Sequence, residues 1–250
     1  MNNKDQIGGR AYSNGLRLQN KKLSVKVYYD KNDNLRIESS PVKVHKYMKY
    51  LKKIPFIRGI ASLFIAVFSF LKEIFKNPLK YWFIFLIVIA DITYMLIPDS
   101  TNIVYQEIFL LIYLAIPVAL FFIFRNNVSD VFKFHGAEHK AVNYYEDDFK
   151  GNIASYSRIH RRCGSNIVFY YIIISILTSF INLGLNIYLR QLIILGISYE
   201  ILNITPKKFL FLPSLFQKIV TKEPEQRQLK AAKLALQALL FESNHNEKIK

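Results

Sequence analysis

Four long apolar runs, set as two closely joined pairs, most constrain what this chain can fold into. Tyr81 to Ile97 and Ile103 to Phe124 are separated only by Pro98-Asp-Ser-Thr-Asn102, and Asn166 to Leu183 and Leu185 to Ile204 repeat the design. Neither connection carries Lys or Arg, whereas Lys76, Lys80, Arg125, Lys207 and Lys208 lie at the opposite ends. Apolar runs of this length read as membrane spans, and the basic residues mark the cytoplasmic side. The pattern predicts an α-helical polytopic membrane protein with two transmembrane hairpins, about four spans in all. Both termini and the segment 126–165 are then cytoplasmic. Asp91, in mid-span, and Glu200, near the cytoplasmic end of the last span, are ionisable groups expected to face the interior of the bundle.

The remainder divides around those hairpins. Residues 1–42 predict a small N-terminal β element, because Leu23, Val25, Val27 and Tyr29 alternate with polar positions and Leu35 and Ile37 resume the alternation after Asp30-Lys-Asn-Asp-Asn34. Gly8-Gly9 and Asn14-Gly15 mark turns or close backbone approaches. Residues 43–76 turn helical, but the apolar centre Gly59 to Leu71 is short for a span and suits an interfacial or re-entrant helix. The first hairpin occupies 77–125 and the second 166–205. Residues 206–250 are read as cytoplasmic amphipathic helices. In them Phe209, Phe211, Leu215, Phe216 and Ile219 oppose Lys208 and Lys218, and a final helix begins near Pro224 with an apolar stripe of Leu229, Ala232, Leu236, Leu239 and Leu240.

Charge bears on partners. Lys and Arg number 34 against 18 Asp and Glu, a net charge of +16. Such an excess fits a cytoplasmic face on the lipid bilayer, with anionic lipid headgroups as contacts, and it also fits a ribosome or translocon. Positive-inside topology accounts for most of it. Cys163 is the sole cysteine, so no intrachain disulfide forms. The polar N-terminal region predicts no secretory signal, leaving insertion to internal spans.

The chemistry concentrates between residues 135 and 163, in the connection between the two hairpins. His135, Glu138 and His139 form an H-x-x-E-H pattern. On a helix His135 and His139 sit about 40° apart, and Glu146 falls between them in projection. Two imidazoles and a carboxylate on one face suit a divalent metal ion, with zinc foremost. Glu138, beside the pair, is placed to act as catalytic base on water. His160 and Cys163 add a second potential ligand pair, so the candidate ligands are His135, His139, Glu146, His160 and Cys163. Arg161 and Arg162 are candidates to hold an anionic substrate or headgroup. The same cluster would also serve as a hydrogen-bonded polar network tying the hairpins together.

These residues carry a resemblance. His-Gly-Ala-Glu-His-Lys at 135–140, Arg-Cys-Gly at 162–164, Gly-Ile-Ser-Tyr-Glu at 196–200 and Thr-Lys-Glu-Pro at 221–224 resemble the YqhQ-like family of bacterial membrane proteins, a family of unknown function described as predicted metal-dependent enzymes. The resemblance runs from Gly8 to the final helix and implies a bacterial cell membrane. The family's Gly-Gly-Gln-Ala…Glu-Gly signature appears here as Gly8-Gly9-Arg10-Ala11…Asn14-Gly15, so a carboxylate is replaced at Asn14, and His160-Arg161-Arg162-Cys163-Gly164 stands where the family has His-Pro-Arg-Cys-Gly.

Three functions compete on this reading. The first is a metal-dependent hydrolase at the cytoplasmic membrane surface. The second is a non-enzymatic membrane-biogenesis or ribosome- or translocon-associated factor with a structural cluster. A transporter resting on Asp91 and Glu200 is the third, and assembly into a homo-oligomer would favour it.

Overall fold

The computed structural model describes residues 5–42, 50–51, 53–79, 81–95, 111, 115, 119, 122–123, 125–181 and 184–248. Four strands open the chain: β1 (Gly8–Tyr12), β2 (Gly15–Gln19), β3 (Leu23–Tyr29) and β4 (Leu35–Pro41). Seven α-helices follow among the described residues. They are α1 (Ile57–Lys76), α2 (Trp82–Met95), α3 (Arg125–Glu146), α4 (Gly164–Ser179), α5 (Ile187–Ile204), α6 (Phe211–Ile219) and α7 (Gln226–Lys248), with 3₁₀ turns at Ile153–Ser155 and Lys207–Leu210. The chain divides into two compact units, Met1–Ser62 with Ser129–Lys250, and Leu63–Val128.

The strands form an antiparallel meander in the order β1-β2-β3-β4, with Leu16 opposite Val27 and Leu18 opposite Val25. The alternation of residues 23–37 thus becomes β3 and β4. Turn chemistry sets the register: the Asp30 carboxylate accepts the backbone N–H groups of Asn32 and Asn34, each at 2.9 Å. Asn14 closes the β1–β2 connection, its side-chain amide donating to the Tyr29 carbonyl at 2.8 Å. One face of the sheet is apolar and takes two helices. Leu16, Leu18, Val25 and Val27 are fully buried against Phe134, Ala137, Ala141 and Val142 of α3 and Ala231, Ala232, Ala235 and Leu239 of α7. The small side chains Ala231, Ala232 and Ala235 let the α7 backbone approach β2 and β3 closely. The stripe read on the last helix is therefore this core's third wall.

The expectation of a polytopic membrane protein with about four spans is overturned. Among the described residues one helix, α5, is long and apolar enough to cross a membrane. The reason is helix length. α4 has 16 residues, which at about 1.5 Å per residue makes a rod of roughly 24 Å against a hydrocarbon core of about 30 Å, and α2 is described as far as Met95, with 96–110 outside the described residues. Hydropathy summed across apolar sequence does not register where a helix stops. Most of the expected span Ile103 to Phe124 lies outside the described residues, as do 43–49 and the side chain of Asp91.

Glu200 lies near the C-terminal end of α5 and is largely covered. Its carboxylate receives the Phe56 backbone N–H at 3.0 Å and Arg58 Nε at 2.8 Å, with a second Arg58 contact completing a fork. Gly59 fits beneath Tyr199, where an added Cβ would lie 2.5 Å from the Tyr199 Cβ. The Gly-Ile-Ser-Tyr-Glu motif thus anchors the start of α1 on α5. A carboxylate at a helix N-terminus is also favoured by the helix dipole.

Candidate metal centre

α3 carries the centre because the residues of its buried stretch divide between two tasks. Phe134, Ala137, Ala141 and Val142 face the sheet, while His135, His139 and Asn143, four residues apart, form an adjoining stripe. That polar stripe captures the loop after α3. Asn143 donates to the carbonyls of Ser157 at 2.8 Å and Ile159 at 3.0 Å, and the buried Lys140 ammonium donates to the Ala154 carbonyl at 2.6 Å.

The captured loop brings Cys163 over the histidines. Potential ligand atoms of His135, His139 and Cys163 all lie within 4.8 Å of one another, and this grouping can hold a metal ion. His135 Nε2 is 3.4 Å from Cys163 Sγ. Each histidine is fixed through its other nitrogen: Nδ1 of His135 donates to the Val220 carbonyl at 3.0 Å, and Nδ1 of His139 to the Arg158 carbonyl at 2.6 Å. A carbonyl accepts only, so both Nδ1 atoms carry hydrogen and both Nε2 atoms are left for a ligand role. This is the outer-shell arrangement that orients metal-binding imidazoles.

Electrostatics supports the same reading. Burial alone would raise the Cys163 thiol, but hydrogen bonds from His135 and His139 override it and hold the group down to about 4, a thiolate at neutral pH. For His139, burial pulls downward and is outweighed by Cys163 and Glu138, so its value is raised. Before a metal binds, thiolate and imidazolium therefore form a pair, and a cation would displace the imidazolium proton. Glu138 is 6% exposed, and burial raises its carboxyl above the usual range despite the neighbouring histidines. Its Oε2 stands 3.8 Å from His139 Nε2, too far for a hydrogen bond.

The centre opens into a cleft of about 180 Å³ lined also by Ile7, Gly9 and Arg162. Gly9 explains the glycine pair at the N-terminus. A Cβ there would lie 2.5 Å from Glu138 Cγ and 2.7 Å from the Arg17 carbonyl oxygen, so only glycine lets β1 pass over the carboxylate. Gly136 has the same role on the opposite side, where a Cβ would lie 2.2 Å from the Lys222 carbonyl oxygen. The Thr221-Lys-Glu-Pro224 strap crosses α3 at that point, with Lys222 N–H donating to the Phe132 carbonyl at 3.0 Å and Glu223 meeting Lys140 at 2.6 Å.

The remaining sequence candidates separate. Glu146 shares the angular face of the histidines but not their height: it is seven residues beyond His139, about 10 Å along the rod. There it pairs with Arg162 and lies 3.5 Å from His160 Nε2. His160 lines the cleft, but its Nδ1 accepts the Arg162 backbone N–H and its Nε2 faces Glu146, so neither nitrogen is directed at the centre. Arg161 turns away altogether and donates to the carbonyls of Asn203 and Thr205 at the end of α5. Asn14, in the β1–β2 connection, is outside the cleft.

Sequence reasoning missed Gln217, which is fully buried and clamps the backbone of His160. Its Oε1 accepts His160 N–H at 2.9 Å and its Nε2 donates to the His160 carbonyl at 3.1 Å. Also missed were the carbonyls of Arg158 and Val220. A carbonyl has no sequence signature, but a glutamine among apolar neighbours on a helix was a visible anomaly.

Residues 65–242 match the family described as "Protein of unknown function (DUF1385)". The chain is 26% identical over 284 residues to "Uncharacterized protein YqhQ" of Bacillus subtilis (strain 168), covering 90% of this chain and 89% of that relative. No solved structure matches the chain.

Proposed function

The chain belongs to the family described as protein of unknown function (DUF1385), and from that premise we propose that it is a metal-dependent hydrolase. His135, His139 and Cys163 hold the ion. One observation carries the reading: three ligand atoms within 4.8 Å of one another, with both imidazoles locked through Nδ1 on backbone carbonyls. Two nitrogens and a thiolate are a borderline-soft donor set that suits zinc, and three protein ligands are the usual number at a catalytic zinc site. A zinc ion there would supply a Lewis acid and make water a stronger nucleophile at neutral pH.

The chain's own groups supply the rest. Glu138, with its raised carboxyl, takes a proton from attacking water and returns it to the leaving group. Arg162 stands at the wall of the cleft, held by the Ile7 carbonyl and Glu146, and meets an anionic group of the substrate. His160 and Glu146 keep Arg162 and the Cys163 turn in place.

Elemental analysis of the purified chain is expected to find about one zinc per chain, lost in His135→Ala and in His139→Ala. Unchanged metal content in both variants overturns the reading. The 3.8 Å separation of Glu138 from His139 also favours a second reading, a closed structural site in a non-enzymatic factor. Glu138→Gln separates the two. Retained metal with loss of hydrolysis on a panel of esters, phosphoesters and peptides assigns the base, and loss of metal assigns a fourth ligand.

A further inference from the structure

Leu16, Leu18, Val25 and Val27 point from the sheet into the core, so the residues that alternate with them point the other way. The strand register sorts those outward residues into rows that cross the sheet. Arg10, Arg17, Lys26 and Glu38 form the middle row. Tyr12, Gly15, Tyr28 and Arg36 form the row on one side of it, and Gln19, Ser24 and Ser40 the row on the other. Successive rows are two residues apart along a strand, about 7 Å.

The middle row is arranged against stability. Arg10 faces Arg17 and Arg17 faces Lys26 across neighbouring strands, and like charges directly opposite each other are destabilising. All three cations gather around the Tyr12 ring, at 5.5, 5.7 and 5.2 Å from its centroid, which offsets part of the repulsion. Lys26 also stands 4.6 Å from the Tyr28 centroid. Glu38, the carboxylate on this face, accepts the Tyr28 hydroxyl at 2.7 Å. Neither Arg17 nor Lys26 has an ion pair among the described residues. Other arginines of the chain are neutralised: Arg36 by Asp30, Arg58 by Glu200, Arg162 by Glu146 and Arg227 by Asp33. That contrast separates this row from the general basic excess of the chain.

The neighbouring rows say what the cations meet. Three charges across two strand spacings cover roughly 10 Å, the scale of the closely spaced phosphates of a single nucleic-acid strand. Tyr12 is 8% exposed beneath the cations, whereas Tyr28 is part-exposed and offers a ring on which a base can stack. Gln19 and Ser40, both exposed, offer donors and acceptors to base edges and to the 2′-hydroxyl that distinguishes RNA. A duplex does not suit a flat face of four strands, because its grooves admit a helix or a two-stranded ribbon. The rows hold no large aliphatic side chain to enter a bilayer or a protein core.

We propose that the outer face of the sheet binds a single-stranded stretch of RNA, with Arg10, Arg17 and Lys26 on its phosphates and Tyr28 stacked on a base. It uses none of the residues of the metal centre and stands apart from the hydrolase reading.

Anisotropy of a labelled single-stranded RNA of about 12 nucleotides, mixed in sequence, is measured against the full chain. Log affinity is expected to fall against log salt with a slope of about −2, from three phosphates at about 0.7 each. Arg17→Gln with Lys26→Gln is expected to lower affinity about tenfold or more and the slope to about −0.7, with an unchanged circular dichroism spectrum. Tyr28→Ala is expected to lower affinity about fivefold or more. Lys230→Gln with Lys233→Gln takes the same charge from exposed positions on α7 and is expected to leave affinity within about twofold. Absence of binding by the parent chain overturns the proposal, as does unchanged affinity in Tyr28→Ala. An equal loss in the two double variants also overturns it, since net charge alone would then attract the strand. Equal affinity for DNA of the same sequence overturns the assignment to RNA, and equal affinity for polyglutamate of the same charge replaces nucleic acid with an acidic protein segment.

Discussion

His135 Nε2 lies 3.4 Å from Cys163 Sγ although the two residues are 28 positions apart. That contact joins the middle of α3 to the first residue before α4, and it exists only because Asn143, Lys140 and His139 hold the intervening loop by its carbonyl oxygens.

The thiol at this contact is expected to titrate far from an ordinary cysteine. In metal-free protein the ultraviolet absorbance of the Cys163 thiolate should persist as pH falls from neutral and disappear only near 4. His139→Ala removes one of the two hydrogen bonds that oppose burial, so the transition should move upward. A midpoint close to the ordinary thiol value of 9.0 in the parent protein would contradict the imidazole contacts.

Gly136→Ala sets two effects against each other. Alanine favours the helix by about 1 kcal/mol, but its Cβ would lie 2.2 Å from a backbone oxygen of the Thr221–Pro224 strap, which cannot rotate away. Overpacking of this kind costs about 1–3 kcal/mol or more, so a lower urea midpoint is expected. A higher midpoint would mean that the strap does not cross α3 at Gly136.

Gln217→Leu keeps the volume of the side chain and removes both of its hydrogen bonds to His160. It leaves a buried N–H and a buried carbonyl with fewer partners, at about 1–3 kcal/mol for the unsatisfied groups. Stability by chemical denaturation should fall by that amount. Unchanged stability would show that water replaces the amide.

Gly9→Ala is expected to act on Glu138 rather than on the ligands. The new methyl meets Glu138 Cγ and the Arg17 carbonyl oxygen, displacing the carboxylate while His135, His139 and Cys163 stay together. On the hydrolase reading proposed above, metal content should therefore match the parent protein while hydrolysis falls by about tenfold or more. Loss of metal in this variant would place β1 in the support of the ligands themselves.

Glu200 gives the pH dependence of the α1–α5 anchor. Hydrogen bonds from Arg58, then from the Phe56 N–H, hold its carboxyl below the ordinary value of 4.5. A carboxyl lowered in the folded state binds its proton less readily there than in the unfolded chain. Its stabilisation is present above 4.5 and disappears as pH falls through the lower folded value. Melting temperatures of the parent and Glu200→Gln should differ at neutral pH and converge below 4.5; a constant difference through acid would separate Glu200 from the anchor.

Much of the centre was legible in sequence because it depends on local periodicity. The four-residue spacing of His135 and His139 puts them on one side of any helix, and Glu138 must then lie beside them. Cys163 was visible as a rare residue near a histidine. Glu146 shows where that logic stops, since angle repeats along a helix while height accumulates, and seven residues of rise remove it from His139. His160 and Arg161 differ from Cys163 only in which way a turn directs them, and turn direction follows from hydrogen bonds of the nearby Asn166 and of Gln217, which arrives from a distant segment.

What the sequence determined by itself is the inventory and its spacing: an alternating strand region, an H-x-x-E-H face, one cysteine, and an amphipathic stretch after Pro206. Tertiary structure decided how those parts meet. Glycines at 9 and 136 admit backbones where any side chain would collide, so the approach of β1 and of the Thr221–Pro224 strap becomes visible only once α3 is packed on the sheet. α4 likewise ends at Ser179, short of a membrane's thickness, although apolar composition continues beyond it. Periodicity travels along one chain and can be read there; distance between segments is settled by burial, which belongs to the whole fold.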